Sequence, residues 1–169
     1  MKSGYYGSDL KRIAIAVAVI AIVAYFAFKD FGESQNQARS WMNPVITKNE
    51  FAALEWVEAN TPERTVFASD IFGGELLMSA LREGTEGGDW AIVPNVVERM
   101  RDAQYNFYEA KESATAWATA RKYGAEYAWV PDRQIFAGYD WKYPNYEIFE
   151  NQTYFEKVFD NGHKIYRIK

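Results

Sequence analysis

The sequence predicts an α/β protein: a single N-terminal transmembrane helix followed by a small layered α/β domain with a C-terminal antiparallel hairpin. Three observations support this prediction. An uninterrupted apolar run occupies residues 13–28. From residue 47 onward, short apolar strand patterns alternate with helical patterns, which is typical of an α/β domain. Two alternating segments at the C-terminus flank Asn161-Gly162, a dipeptide that favours a tight hairpin turn.

The first element is the predicted transmembrane helix at residues 13–29, which follows a short N-terminal segment at residues 1–12. The apolar run would extend about 24 Å as a helix, and the flanking Lys11, Arg12 and Lys29 can lengthen the span by snorkelling. A cleaved signal peptide has a similar basic start and short apolar run. We favour a retained anchor, because bulky residues crowd the positions where a small-residue cleavage site would lie.

Charge predicts which way this helix points. Residues 1–12 contain three basic and one acidic residue, a net charge of +2, whereas the chain from Asp30 onward contains 15 basic and 22 acidic residues, a net charge of −7. The positive-inside rule then places the N-terminus in the cytoplasm and the C-terminal domain outside. The prediction is a single-pass protein of the cell membrane.

Composition excludes several classes of site and partner. The 169 residues include no cysteine, which excludes disulfides and thiolate zinc sites. A single histidine excludes a multi-histidine metal site and disfavours a serine–histidine triad. The overall charge of −4 argues against nucleic-acid binding, because phosphates repel an acidic surface. Aromatic residues make up 17% of the chain, a high share for a protein of this length, so an exposed aromatic cluster is a candidate binding surface.

The extracytoplasmic domain is predicted to span residues 47–169, after a linker without periodicity at residues 30–46. Thr47 and Glu50 have the spacing of a capping box, so we expect a helix that ends before Pro62, with Phe51, Leu54 and Val57 on its apolar face. The elements expected after it are a strand at 65–69, a helix at 75–82, a loop at 83–89, a strand at 90–93, a helix capped by Asn95 and Glu98, a helix at 113–123 ended by Gly124, a strand at 126–130, and hairpin strands at 155–159 and 164–168.

Three stretches carry a resemblance to a known group of domains. They are ALEWVEANTPERTVFASD at 53–70, KYGAEYAWV at 122–130 and VFDNGHKIYRIK at 158–169. Together they resemble the C-terminal extracytoplasmic domain of archaeal oligosaccharyltransferase-like membrane glycosyltransferases. That family has a WWDYG motif after the first strand, which helps to hold the acceptor peptide. The ungapped equivalent here is Ser69-Asp70-Ile71-Phe72-Gly73, so the motif is missing and the acceptor pocket is not carried over.

The resemblance implies an accessory function rather than an active site. A chain with one span lacks the membrane loops that hold the family's catalytic carboxylates and metal. We therefore expect a non-catalytic, membrane-anchored accessory or binding module in protein glycosylation or surface assembly, whose partner is a glycan, a peptide or a polytopic glycosyltransferase subunit. The alternative is a separately encoded or truncated C-terminal part of a multi-span glycosyltransferase, which would need a polytopic partner for transfer.

Two candidate sites lie near the predicted strand ends. Asp70, Gly73 and Gly74 follow the first strand, where open α/β sheets bind ligands. The favoured interpretation is that Asp70 caps the next helix and the glycines form a turn. Glu83, Glu86 and Asp89 could hold a divalent cation, the one cofactor that the sequence suggests, but a solvated acidic loop is the favoured interpretation. His163 follows the hairpin turn, and we expect it at the surface.

Two further candidates lie later in the chain. The segment 138–146 is rich in aromatic residues, which would stack on sugar rings or meet a membrane if exposed, and would cover the sheet if buried. Its aromatic members are Tyr139, Trp141, Tyr143 and Tyr146. Asn151-Gln152-Thr153 is a sequon, so Asn151 is a candidate glycosylation acceptor if the domain lies outside.

Overall fold

The computed structural model describes residues 6–41, 45–86 and 94–169. The chain divides into two compact units, Met1–Asn43 and Pro44–Lys169. The first unit contains one long helix, and the second contains the mixed α/β domain.

Helix α1 spans Tyr6–Trp41, which is 36 residues. Within the described residues it is the one helix long and apolar enough to cross a membrane, at Leu10–Asn36, a criterion of length and composition that a signal sequence also meets. At about 1.5 Å per residue it measures roughly 54 Å, well beyond the roughly 30 Å of a hydrocarbon core.

The helix continues through residues 30–41, where the sequence predicted a linker. That part of the expectation was wrong because it relied on the lack of an apolar period. A helix can continue without an apolar period where no proline interrupts it, and this stretch lacks proline and includes the good helix formers Glu33, Gln35, Gln37, Ala38 and Arg39. An i,i+4 pair between Lys29 and Glu33, at 3.8 Å, supports the helix at this point.

The second unit alternates helices and strands. We name its elements in chain order: α2 (Lys48–Asn60), β1 (Val66–Ala68), α3 (Ile71–Ser79), β2 (Glu83–Gly84), α4 (Val96–Arg101), a π-helical segment (Asp102–Tyr108), α5 (Ser113–Lys122), β3 (Tyr127–Val130), β4 (Ile135–Phe136), β5 (Trp141–Lys142), a 3₁₀ helix (Tyr146–Glu150), β6 (Phe155–Asp160) and β7 (Lys164–Ile168).

The main sheet has five strands in the order β2-β1-β3-β7-β6. Strand β1 pairs in parallel with both β2 and β3, and β7 pairs antiparallel with both β3 and β6. The predicted C-terminal hairpin is therefore confirmed. Strands β4 and β5 form a separate antiparallel pair that the sequence analysis did not anticipate, because each is only two residues long.

Alternating side chains of β3 divide the core between the two faces of the sheet. Ala128 and Val130 belong to one cluster, with Phe107 of the π-helical segment and Ala120 of α5. Trp129 belongs to the other cluster, which also includes Phe67 of β1, Val57 of α2 and Leu77 of α3. Neighbouring side chains of a strand point to opposite faces of the sheet, so the two clusters lie on opposite faces. Each cluster includes helical residues, so helices cover both faces.

Several predicted boundaries are confirmed. The capping box is present, since Thr47 Oγ1 accepts from the Glu50 amide and Glu50 Oε2 accepts from the Thr47 amide at 2.8 Å. Helix α2 ends at Asn60, before Pro62, and α5 is followed by Gly124 at φ +73°. Strand β1 lies within 65–69 and β3 within 126–130.

Other predictions of detail were wrong. Phe51 is 55% exposed, because the buried face of α2 runs through Glu50, Ala53 and Val57. Helix α3 starts at Ile71 rather than at residue 75, since Asp70 caps it. Asn95 precedes α4 in a left-handed conformation and its side chain forms no capping bond. The predicted strand at 90–93 lies outside the described residues.

Gly73 lies where α3 meets the sheet, so its substitution tests this packing. A Cβ there would lie 2.7 Å from Trp129 Cδ1 and 2.8 Å from Asp70 Oδ1. Gly73→Ala should destabilise the domain by about 1–2 kcal/mol, because overpacking outweighs the gain in helix propensity. Urea unfolding followed by tryptophan fluorescence measures the change. Glu75→Ala, at an exposed position of the same helix, is the control, and equal stability of the two variants would contradict the prediction.

Candidate functional site

Charged residues gather at the carboxyl edge of the parallel strands. Asp70 follows β1, Glu86 follows β2 and Arg133 follows β3. Because β2 and β3 flank β1 on opposite sides, this edge contains the point where the strand order reverses. Open α/β sheets bind ligands in the crevice at such a point. The sequence analysis found Asp70 and Glu86 but missed Arg133.

Arg133 forms a buried ion-pair triad with Asp70 and Glu50. Its Nη1 lies 2.8 Å from Asp70 Oδ2, and its Nη2 lies 3.2 Å from Asp70 Oδ1. Its Nε lies 2.9 Å from Glu50 Oε2, and Nη2 lies 2.8 Å from Glu50 Oε1. Burial disfavours the charge of Arg133, but the two carboxylates outweigh it and raise the pKa of the guanidinium.

Each carboxylate oxygen of the triad also accepts a second hydrogen bond. Asp70 accepts from the amides of Gly73 (3.0 Å) and Phe136 (3.2 Å). Glu50 accepts from Trp129 Nε1 (3.2 Å) and from the Thr47 amide (2.8 Å). The triad thus joins α2, α3, β3 and β4 through charge-assisted bonds. Its acceptors are occupied by the protein itself, which is the arrangement of a structural centre.

The predicted ligand glycines take part in this packing. Gly73 approaches the Trp129 indole, with no room for a Cβ. A Cβ on Gly84 of β2 would lie 2.7 Å from Gly74 Cα, so Gly74 lies where α3 crosses close to β2. Both glycines are buried, and close contact between helix and sheet accounts for them. Asp70 caps α3, as the favoured interpretation expected.

Glu86 is a buried carboxyl group at the end of β2. Neither of its oxygens has a hydrogen-bond partner among the described residues. Burial, with a smaller contribution from the nearby Asp70 carboxylate, raises the pKa of Glu86 to about 9, although Arg99 partly offsets this. At neutral pH Glu86 therefore holds its proton.

The proposed cation site brings together little of its predicted set. Glu83 is exposed on β2, Glu86 is buried, and Asp89 lies outside the described residues. No group of three or more acidic or histidine side chains suited to a metal occurs in the described part of the chain. A neutral Glu86 is a poor ligand for a hard cation, which prefers ionised carboxylates.

His163 is fully buried, which corrects the expectation of a surface residue. Its ring lies 4.0 Å from the Trp129 ring, centre to centre, and neither ring nitrogen has a hydrogen-bond partner within the described ranges. Burial, together with the nearby Arg133 cation, lowers its pKa well below the usual value. The turn misled the prediction, because Asn161 Nδ2 donates to the Asn49 carbonyl and so draws the hairpin against α2.

The aromatic segment 138–146 is divided between core and surface. Trp141 is buried and stacks with Phe136, at 5.0 Å between ring centres, and with Phe72 of α3, at 5.8 Å. Tyr146 is half-buried and donates its hydroxyl to the Pro131 carbonyl at 3.0 Å. Tyr139 and Tyr143 are exposed.

Tyr139 forms an exposed aromatic surface with Tyr105 and Val97. The Tyr139 and Tyr105 rings lie 5.5 Å apart and are 45% and 47% exposed. The Tyr139 hydroxyl donates to the Val97 carbonyl at 3.2 Å, which ties the segment to α4. Asp140 and Lys142 form an exposed ion pair at 3.2 Å in the same segment. We call Val97, Tyr105 and Tyr139 the tyrosine surface.

Sequence reasoning found one half of the tyrosine surface. Tyr139 belongs to an aromatic-rich segment that composition identifies. Tyr105 lies in the π-helical segment, whose residues do not follow the 3.6-residue period, so its outward direction could not be derived from the sequence. Only the fold brings the two rings together.

Asn151 is exposed, directly after the 3₁₀ helix. Its Oδ1 accepts a hydrogen bond from the Thr153 amide at 3.0 Å. The candidate acceptor thus lies in an ordered turn at the surface.

Comparison with protein-family models and with curated protein sequences finds no match to this chain.

The triad predicts a large penalty for removing its cation. Arg133→Met would leave Asp70 and Glu50 buried side by side, so we expect a loss of about 3–5 kcal/mol in the free energy of unfolding. Urea unfolding at pH 7 measures it. Arg167→Met, which removes an exposed partner of Glu156, is the matched control and should change stability little. Similar losses of unfolding free energy in both variants would contradict the prediction, because they would show that burial of the ion pairs does not determine the penalty.

Glu86 predicts a pH-dependent stability. Its pKa is about 9 in the folded protein against 4.5 for the free side chain, so only the unfolded state loses the proton between those values. Its contribution is present below pH 4.5 and falls as pH rises towards 9, by at most about 1.4 kcal/mol per pH unit. Glu86→Gln should therefore gain stability relative to wild type between pH 5 and pH 8. We would measure urea unfolding at each pH.

The matched control for Glu86→Gln is Glu83→Gln, which alters an exposed carboxylate at the start of β2. It should not reproduce the pH-dependent gain in stability expected of Glu86→Gln. A pH-independent difference for Glu86→Gln would refute the prediction.

Proposed function

We propose that this chain is a membrane-anchored, non-catalytic module that binds a glycan on the tyrosine surface outside the cell. It would serve as an accessory in protein glycosylation or surface assembly. The observation that carries the proposal is the pair of half-exposed rings of Tyr105 and Tyr139, held 5.5 Å apart.

The chemistry of the tyrosine surface suits a sugar. The apolar C–H face of a pyranose packs on an aromatic ring, and its hydroxyls need donors and acceptors beside that ring. Asp140 supplies an acceptor and Lys142 supplies a donor next to Tyr139, and both are exposed. Because the Tyr139 hydroxyl is bound to the Val97 carbonyl, its ring is already held in place before a ligand arrives.

The other candidate site supports this assignment indirectly. The carboxyl edge, where an α/β domain commonly binds its ligand, is occupied by the triad of Glu50, Asp70 and Arg133. A ligand there would have to displace buried charge-assisted bonds, whereas the tyrosine surface can bind without rearrangement. Charge asymmetry around the apolar part of α1 supports an external position for the domain.

Binding of soluble oligosaccharides tests the proposal. The full-length protein in detergent would be titrated with neutral and acidic oligosaccharides, followed by NMR shifts and calorimetry. Tyr139→Ala and Tyr105→Ala should each weaken the binding by about tenfold or more, since each removes a stacking ring. Phe51→Ala, which removes an exposed aromatic from α2, is the control and should bind as wild type does.

Two results would overturn the proposal. One is glycan binding that is equal in Tyr139→Ala and wild type. The other is stoichiometric co-purification from native membranes with a multi-span glycosyltransferase whose transfer activity is lost without this chain; this would favour a separately encoded part of such an enzyme.

A further inference from the structure

One glycosylation sequon occurs in the 169 residues, at Asn151-Gln152-Thr153. Asn60-Thr61 is followed by proline at the hydroxyl position, and the other asparagines lack Ser or Thr two residues later. A lone sequon is a common chance event, so its place in the fold has to decide whether it is used.

The acceptor residue lies at the surface. Asn151, Gln152 and Thr153 are all exposed. Asn151 Oδ1 accepts from the Thr153 amide at 3.0 Å, and the Asn151 carbonyl accepts from the Tyr154 and Phe155 amides at 3.1 and 3.0 Å. These bonds fix the turn, while Nδ2, the atom that would carry a glycan, donates to none of the described residues.

A polar groove of about 440 Å³ lies beside this turn. Charged and amide side chains line it together with the rings of Phe149, Phe155 and Tyr166. Two of its lining residues are joined, because Lys169 Nζ donates to the Gln152 carbonyl at 2.7 Å. Sugar hydroxyls bind such donors and acceptors. The polar lining residues are Glu150, Gln152, Glu156, Lys157 and Lys169.

The groove borders the outer strand of the sheet. Within the described part of the chain, β6 pairs only with β7, so one side of its backbone faces away from the sheet. Unpaired strand edges promote association between chains, and proteins commonly cover or charge them. Glu156 and Lys157 charge this edge, and a glycan at the start of β6 would cover it.

We propose that Asn151 is an N-glycosylation site whose proximal sugars lie in the groove beside β6. The modification breaks the bond between the first sugar and the phosphate of a lipid-linked glycan donor and forms a bond between that sugar and Asn151 Nδ2. The lipid phosphate is the leaving group, and Nδ2 loses a proton. The proposal does not depend on ligand binding at the tyrosine surface. It requires the domain to lie outside the cytoplasm.

Translation of the full chain with endoplasmic-reticulum microsomes tests it. Wild type should show an upward gel shift of one glycan that an amidase removes, and both Asn151→Gln and Thr153→Ala should lose the shift. Protease protection of the domain reports its side of the membrane in the same samples.

A second acceptor separates local geometry from topology. Lys111→Asn creates a sequon with Glu112 and Ser113 at an exposed site before α5, and it is placed in the Asn151→Gln background. Glycosylation at position 111, with none at Asn151 in wild type, would show that the domain reaches the transferase but that the local geometry of Asn151 prevents its use. This result would overturn the proposal. Glycosylation at neither position, with the domain open to protease, would show that the domain lies on the cytoplasmic side of the membrane. This result would also overturn the proposal.

Hydrogen exchange tests the location of the sugars. The amide of Lys157, which like that of Phe155 faces away from β7, should exchange several-fold more slowly in the glycosylated protein than after amidase treatment, with Tyr127 of β3 as an internal reference. Equal exchange before and after treatment would show that the sugars do not cover β6.

Discussion

The domain depends on one guanidinium held between two carboxylates. Arg133 binds Asp70, which caps α3, and Glu50, which completes the capping box of α2. A cation buried without these partners would be strongly unfavourable, and so would either carboxylate without the cation. The three groups are therefore stable only together. The ion pairs among them hold α2 and α3 against the end of β3. The Trp129 indole then lies within hydrogen-bond distance of Glu50.

This interaction also occupies the acidic groups at the carboxyl edge of the sheet. The carboxyl edge of the parallel strands is the usual ligand crevice of an α/β sheet, yet here protein donors saturate its acidic groups. Glu86 and His163, the buried polar groups near it without described partners, are both held neutral by burial. Both proposed sites, the tyrosine surface and the turn that presents Asn151, accordingly lie among exposed residues.

The sequence predicted the elements whose signals are local. Thr47 and Glu50 predict the start of α2, and Pro62 predicts its end. Asn161-Gly162 predicts the hairpin. Each prediction succeeds because capping, helix termination and turn formation depend on a few neighbouring residues. The helical continuation at 30–41 was missed because amphipathic period was used as the criterion. The site was only partly predicted: Asp70 was recognised as a possible cap, but its partner lies 63 positions away.

The sequence by itself determined an α/β chain with a basic N-terminus, an apolar helix and an acidic domain, since charge, apolar length and capping are local properties. Tertiary structure alone decided the environment of each polar group. His163 is buried because the hairpin folds against α2, and Tyr105 meets Tyr139 because the π-helical segment turns its ring outward. Whether a residue is buried, and which distant residue it pairs with, depends on how all the elements pack together. A short sequence pattern does not contain that information.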